Sequence, residues 1–217
     1  MIKIYTSLQS PFGNASLICA SALNVDFARI IYDPEDPKQQ AEFDAHSLSQ
    51  KVPLLIDGDV AVFEHIAINK YLTQRQGSPF YPKDIKKQAV VDQWTLFISN
   101  HVFLEGIRPV FRSQYVPSKT GGTINPTQVA YAIHSFDRYF KVIDEQLKKT
   151  GKFVVGDQLT IADFSLLGLT DVCELLKVPY SYPHFESWRE GLKSQEFYKR
   201  LFPTYQYIDL FEVYGLL

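Results

Sequence analysis

The chain has 217 residues, 46% apolar and 21% charged, a globular composition with room for one large domain or two small ones. Its formal net charge is −2 and it has no run of basic residues, so the sequence does not predict a nucleic-acid partner. No apolar stretch has the length of a membrane span and the first residues lack the layout of a signal peptide, which predicts a cytoplasmic protein with no membrane contact.

The first third of the chain alternates predicted strands and helices. Asp57-Gly58, which lies between two apolar runs, is a strong hairpin signal and predicts two antiparallel strands. The predicted order is a strand over 2–5, a helix over 12–23, a strand over 25–32, a helix over 38–45, the hairpin, and a helix beginning near residue 66. This order predicts an α/β layer with one parallel crossover and an antiparallel edge.

The rest of the chain has helical periodicity. A turn-rich segment, Gly77-Ser78-Pro79-Phe80-Tyr81-Pro82, predicts a linker, and two long amphipathic helices follow, separated by a loop over 117–122. Thr160 and Asp163 form a capping-box pattern that predicts the start of a helix. The residues after it are almost wholly apolar, so we expect this helix to be buried at the centre of a helical domain.

The two cysteines, Cys19 and Cys173, each lie in an apolar helical pattern, which predicts buried packing residues. The chain has no CxxC motif and no zinc-ligand spacing. The sequence therefore predicts neither a metal site nor a cysteine-based redox centre.

Three short motifs carry a resemblance to a known family: Val52-Pro53, Glu64 with Ala67-Ile68, and Thr160-Ile161-Ala162-Asp163. In this order and at these separations they resemble a cytosolic glutathione transferase, and the N-terminal part is most similar to the serine-type phi class. The resemblance implies a thioredoxin-like glutathione-binding domain over residues 1–78, a linker over 79–86, and an all-helical domain over 87–217. It also implies a cis peptide bond between Val52 and Pro53.

The resemblance places the catalytic serine of the family on Ser10. A serine hydroxyl that donates to sulfur stabilises the thiolate, which is the nucleophilic form of glutathione. Ser10-Pro11 is also a good helix cap followed by proline at the first helical position, and both roles can coexist. Tyr5, Thr6 and Ser7 are alternative hydroxyl donors, although the place of Tyr5 in a strand favours a core role.

The resemblance also implies a set of glutathione-binding residues: Gln39, Lys51, Val52, Pro53, Glu64 and His65. Three of these positions and one more depart from the family. His65 stands where a serine is common, Gln39 falls on a histidine, Lys51 falls on a glutamine, and Asn14 replaces an arginine. An imidazole at position 65 can bind a carboxylate through a ring nitrogen or leave that task to its backbone amide.

The implied function is a glutathione transferase that activates glutathione, its co-substrate, for attack on hydrophobic electrophiles in detoxification. Glutathione peroxidase activity belongs to the same class. Phe12, Phe111 and Tyr115, with Phe103, are the candidates for the second-substrate site, and ordinary core packing is their alternative role. The family also implies a homodimer and no metal.

Two other functions compete with this one. A non-catalytic, transferase-like ligand carrier or scaffold protein is favoured by Asn14, Gln39 and His65. Thiol transfer needs a thiolate near the start of the first helix, where the chain has Ser10 instead. The aromatic tail over 205–217 is predicted either to pack on the helical domain or to cover the substrate cleft, and packing is favoured.

Overall fold

A computed structural model describes residues 1–8, 10–176, 178 and 181–202. The elements in chain order are β1 (Ile2–Thr6), α1 (Pro11–Ala22), β2 (Phe27–Ile31), α2 (Pro37–His46), β3 (Leu54–Asp57), β4 (Val60–Phe63), α3 (His65–Arg75), α4 (Ile85–Phe97), a π-helical segment (Ile98–Ile107), α5 (Arg108–Val110), a second π-helical segment (Phe111–Tyr115), α6 (Val116–Thr120), α7 (Pro126–Thr150), α8 (Ile161–Thr170), α9 (Cys173–Leu176), α10 (Pro183–Lys193) and α11 (Glu196–Leu201). The tail over 205–217, for which packing was predicted, lies outside the described residues.

The N-terminal domain is built on a mixed four-stranded sheet in the order β2-β1-β3-β4. β1 pairs in parallel with β2 and antiparallel with β3, and β3 pairs antiparallel with β4. Gly58, at φ +63°, makes the turn between β3 and β4, so the hairpin predicted from Asp57-Gly58 is confirmed. The predicted α/β layer with a parallel crossover and an antiparallel edge is therefore present.

Helices cover both faces of this sheet because successive side chains of a strand point to opposite sides. Ile4 of β1 is buried with residues of α1 and α3, including Leu17 and Ile68. Its neighbour Tyr5 points to the other face, where it is buried with Phe43 of α2. This alternation decides which side chains of β1 lie near the start of α1.

The second domain is helical, as predicted. Its helices α4 to α6, with the two π-helical segments, run from Ile85 to Thr120 without a break. The predicted loop over 117–122 is wrong for its first part, which is helical up to Thr120. Pro117 is the second residue of α6, directly after the change from the second π-helical segment to the α-helix. On either side of the linker, α3 ends at Arg75 and α4 begins at Ile85. The domain limits given above stay a prediction.

The helix α8 lies at the centre of the second domain, and all ten of its residues are buried. The Asp163 carboxylate accepts hydrogen bonds from the Thr160 amide at 2.9 Å and from the Thr160 hydroxyl at 3.1 Å. It also accepts from the Val154 amide and from the Trp188 indole. The predicted helix start is therefore confirmed, and Asp163 joins three separate parts of the domain.

The two domains meet where α8 packs on α1. The linker is attached at the same place, because the Ile161 amide at the start of α8 donates to the Phe80 carbonyl oxygen at 3.0 Å. An ion pair of 2.8 Å between Lys70 of α3 and Asp92 of α4 forms a second connection. None of the helices within the described residues is both long enough and apolar enough to span a membrane.

Candidate functional site

Ser10 lies at the N-terminus of α1, where its extended backbone makes it the helix cap. Its Oγ accepts a hydrogen bond from the Gly13 amide at 3.1 Å, and Pro11 follows at the first helical position. The capping role is therefore confirmed. Because the cap uses only a lone pair of the oxygen, the hydroxyl proton remains available to a second partner.

Gly13 allows this turn to approach the end of β1. A Cβ added to Gly13 would lie 2.9 Å from the Cβ of Thr6, a distance at which side chains do not pack. Only glycine therefore permits the start of α1 to lie so close to the strand. Sequence analysis missed this role, although a glycine inside a helical pattern is the signal that indicates close packing.

Two of the alternative hydroxyls already have partners. The Tyr5 hydroxyl donates to the Glu42 carboxylate, and its ring packs edge-on against Phe43 with centroids 5.9 Å apart. Burial and the hydrogen bond to Glu42 raise the pKa of Tyr5 above its ordinary value. Thr6 is buried and donates to the Ser7 carbonyl oxygen at 3.2 Å. The structure thus places Tyr5 in the core, the role that its strand position favours.

The Val52–Pro53 peptide bond is cis, as predicted from the resemblance. Pro53 is buried directly before β3, Val52 is half-buried, and Lys51 is exposed. Among the residues that the structure describes, the backbone N–H and C=O groups of Val52 have no backbone partner. These groups are therefore free to pair with an extended peptide beside them.

Glu64 lies between β4 and α3 with φ +70°, a backbone conformation that is uncommon for a residue with a side chain. Its side chain is exposed and makes no capping hydrogen bond to α3. The first amides of α3 lack partners within the helix, and the helix dipole is positive at this end. Glu64 and the start of α3 thus present a carboxylate and a group of amide donors side by side.

His65 is the first residue of α3, and its side chain is turned inward. Only 2% of the residue is exposed, and neither ring nitrogen has a hydrogen-bond partner among the described residues. Burial lowers the pKa of His65 to about 4, so the imidazole is neutral at pH 7. The geometry therefore offers the backbone amide of His65, and not a charged ring, to a carboxylate at this position.

Within the described residues, the side chains of Gln39 and Asn14 make no hydrogen bond to Ser10, although the Asn14 amide donates to the Ser10 carbonyl oxygen at 2.7 Å. The Gln39 side chain accepts a hydrogen bond from the Asp33 amide at 3.0 Å and approaches Asp36 at 3.4 Å, so it is engaged in the loop before α2. Asn14 is 1% exposed, and its Oδ1 has no partner within the described part of the chain. Neither side chain carries a formal charge.

The aromatic candidates for the second-substrate site form two groups. Phe12 of α1 packs edge-on against Phe103 of the helical domain, with centroids 4.7 Å apart. Phe111 stacks on Tyr115, with centroids 5.1 Å apart. Tyr115 is buried, whereas the other three residues are half-buried. Phe12 and Phe103 thus join the two domains beside Ser10.

The cysteines are packing residues, as predicted. Both are buried and free, and burial raises the pKa of the Cys19 thiol to about 12 and that of Cys173 further still. A thiol with such a pKa is not a thiolate at neutral pH. Within the described residues, no group of three or more His, Cys, Asp or Glu side chains is arranged to hold a metal ion.

Two family models match the chain, the N-terminal domain of glutathione S-transferase over residues 1–74 and its C-terminal domain over residues 109–196. The chain belongs to the glutathione transferase family. It is 25% identical over 154 residues to glutathione S-transferase theta-3 of Mus musculus. That alignment covers 67% of this chain and 62% of the mouse protein, so it spans less than two thirds of that relative.

Solved structures of the family agree with this assignment. The epsilon-class glutathione S-transferase from the housefly Musca domestica superimposes with a TM-score of 0.76 at 27% identity, covering 92% of this chain and 91% of that one. A glutathione transferase homolog from Drosophila mojavensis with bound glutathione has a TM-score of 0.76 at 28% identity, covering 91% and 89%. The mouse relative carries a theta name and the housefly structure an epsilon name, so the phi-like class stays a prediction.

Proposed function

We propose that this transferase stabilises the thiolate of glutathione through Ser10 and directs it at hydrophobic electrophiles. The observation that carries the proposal is the position of the Ser10 hydroxyl at the start of a twelve-residue helix. Its oxygen accepts the capping hydrogen bond, which leaves the hydroxyl proton available to donate to the sulfur of glutathione. An unperturbed thiol has a pKa of about 8.5, and lowering it by two units requires roughly 2.7 kcal/mol. A hydroxyl donor at the positive end of α1 is suited to supply this difference.

The peptide part of glutathione is proposed to bind between the cis-proline turn and the start of α3. The free backbone groups of Val52, held by Pro53, suit the peptide backbone of glutathione. Glu64 suits its amino group, while the amides of His65 and of the next residue suit its γ-glutamyl carboxylate. Lys51, exposed and one residue before the turn, is the candidate partner of the glycyl carboxylate. Gln39, whose side chain accepts from the Asp33 amide, is a further candidate for peptide binding.

The second substrate is proposed to be apolar, because the side of the site that faces the helical domain is aromatic. Phe12 and Phe103, which pack on each other, are the proposed lining near Ser10, and the stacked pair Phe111 and Tyr115 is the proposed further part of this side. Glutathione-dependent reduction of peroxides uses the same thiolate and remains part of the proposal. We also propose that the protein is a cytoplasmic detoxification enzyme, which uses glutathione as its co-substrate and requires no metal.

We further propose a homodimer. The first helix of the second domain, α4, leaves three large apolar side chains exposed, those of Ile85, Val90 and Leu96. Exposed apolar side chains are suited to a contact with another protein, and most oligomers are symmetric homo-oligomers. A second copy of this transferase is the proposed partner.

A ligand carrier or scaffold without catalysis is the second candidate function. Asn14, which stands where the resemblance implies an arginine, is buried, and its Oδ1 has no partner among the described residues. Because asparagine is uncharged, this position gives the site no positive charge. Two measurements separate the candidates: retention on glutathione-agarose, and conjugation of glutathione to an activated aryl halide. Retention with conjugation supports the enzyme, retention without conjugation supports the carrier, and the loss of both rejects the proposed site.

Glu64 is the residue with which to test the peptide part of the site. Glu64→Ala is expected to weaken glutathione binding as its main effect, because hydrogen bonds to a charged group contribute about 1.5–3 kcal/mol. Glu64→Gly is the matched control for the backbone, since glycine adopts a positive φ freely. Equal glutathione affinity in Glu64→Ala and the unsubstituted protein would place the amino group elsewhere.

A further inference from the structure

The ring of His65 is in contact with the ring of Phe12. The two centroids lie 5.0 Å apart with the planes tilted by 44°, a geometry typical of paired aromatic rings. His65 begins α3, and Phe12 lies in the first turn of α1, two residues after Ser10. The contact therefore connects the two helix starts from which the proposed glutathione site is built.

Phe12 in turn touches the helical domain. Its ring packs edge-on against Phe103, with centroids 4.7 Å apart. His65, Phe12 and Phe103 form a continuous row of rings that runs from the peptide side of the site to its apolar side. Phe12 is half-buried, so part of the residue remains accessible at the surface.

The imidazole contributes no charge and no hydrogen bond to this row. Both ring nitrogens are buried and have no hydrogen-bond partner within the described residues. With only 2% of the residue exposed, the ring is packed among protein atoms. What remains for the ring to contribute is shape, because a neutral, unpaired imidazole acts on its neighbours mainly through packing.

We propose that His65 is a positioning residue, which holds the Phe12 ring against Phe103 and thereby shapes the apolar side of the site. This inference rests on the proposed function, since it assigns the apolar side to the second substrate. It also separates two roles of position 65: the backbone amide serves the peptide carboxylate, and the side chain serves the electrophile.

The test compares two ligands, glutathione and S-hexylglutathione, whose difference is an apolar group on the sulfur. Titration calorimetry gives both dissociation constants for the unsubstituted protein and for His65→Ser, His65→Phe and Phe12→Leu. The measured quantity is the factor by which the hexyl group tightens binding. Because both ligands carry the same peptide, this factor reports the apolar side alone.

We expect His65→Ser to reduce that factor about three- to tenfold, because losing one aromatic pair changes an affinity by about that much. The reduction should come mainly from weaker binding of S-hexylglutathione. His65→Phe keeps a planar ring without nitrogens and is expected to lose less than about twofold. Phe12→Leu is expected to reproduce the loss seen in His65→Ser. In the double variant His65→Ser/Phe12→Leu the two losses should not add, because His65 acts through Phe12.

Three results would overturn the inference. Full additivity in the double variant would show that His65 does not act through Phe12. A loss in His65→Phe as large as in His65→Ser would assign the effect to the ring nitrogens. Equal weakening of both ligands in His65→Ser would place the side chain on the peptide side.

Failure of the proposed function has a different signature. If the unsubstituted protein binds neither ligand, the glutathione site itself is rejected, and the role of His65 is rejected with it before any variant is measured.

Histidine nuclear magnetic resonance provides a readout of the ring itself. The signal that disappears in His65→Phe should keep the neutral form down to about pH 5, and protonation near pH 6.5 would contradict a buried, unpaired ring.

Discussion

Gly168 of α8 lies so close to Ala15 of α1 that a Cβ added to the glycine would come within 2.6 Å of the Ala15 Cα. Backbone atoms cannot move aside as the end of a flexible side chain can. The contact between the two domains is therefore a contact between helix backbones, and a methyl group at this position separates them.

We expect Gly168→Ala to lower the free energy of unfolding by about 1–3 kcal/mol or more, the usual cost of overpacking a core. Gly191→Ala in α10 is the matched control, since its Cβ would meet nothing within 4 Å. That change is expected to be neutral or stabilising by up to about 1 kcal/mol, because alanine has the higher helix propensity. Urea denaturation of both variants checks the prediction, and equal stability would contradict the close packing of α1 and α8.

Ser10→Ala is expected to raise the pKa of bound glutathione by one to two units, a loss of roughly 1.4–2.7 kcal/mol of thiolate stabilisation. It also removes the helix cap, at a cost of about 1 kcal/mol in folding stability. Ultraviolet titration of the thiolate and thermal unfolding separate the two effects. Ser10→Thr is the control, because threonine keeps both the cap and the hydroxyl proton.

A Ser10→Ala protein that is less stable but has an unmoved thiol titration would leave Ser10 as a cap only. Ser7 would then be tested first, because the hydroxyls of Tyr5 and Thr6 already donate within the protein. Conjugation at neutral pH would in that case change little.

The buried carboxyl group of Asp163 should make the stability of the protein depend on pH, and the variant Asp163→Asn isolates this contribution. Burial raises the pKa of Asp163 to about 6, above the ordinary value near 3.9 of the unfolded chain. The folded state thus binds the proton more tightly than the unfolded chain does. The contribution of Asp163 to the free energy of unfolding is therefore largest below about pH 4 and is lost as the pH rises to about 6. The change is roughly 1.4 kcal/mol for each unit of pKa shift.

The stability deficit of Asp163→Asn relative to the unsubstituted protein should therefore be largest near pH 4 and shrink towards pH 7. Urea denaturation across this range measures it. A deficit that grows with pH would show that the hydrogen bonds from Val154, Thr160 and Trp188 favour the ionised carboxylate more than burial opposes it.

The proposed homodimer predicts a mass in sedimentation above the 24.9 kDa of one chain at micromolar concentration. Leu96→Lys, at an exposed apolar residue of α4, should produce the single-chain mass because it places a charge in the proposed contact. Ile124→Lys, at an exposed apolar residue between α6 and α7, is the control and should leave the mass unchanged. A single-chain mass for the unsubstituted protein would contradict the dimer.

Local sequence signals predicted the parts of the fold that depend on neighbouring residues. Asp57-Gly58 predicted the hairpin because glycine adopts the positive φ that the turn requires. Thr160 and Asp163 predicted the start of α8 because a carboxylate three residues into a helix reaches the amide before it. The cis bond at Val52–Pro53 was predicted only through the family resemblance, since the base rate for such bonds is about 5–6%.

The tertiary structure alone decided which hydroxyl is free and which ring is buried. Tyr5, Thr6 and Ser10 are similar donors in the sequence, but Tyr5 is drawn to Glu42 of α2, 37 positions away. His65 occupies a binding position in the motif, yet its ring is packed under Phe12, 53 positions earlier. Such pairs depend on how helices and strands distant in sequence come together, and periodicity within one element carries no information about that approach.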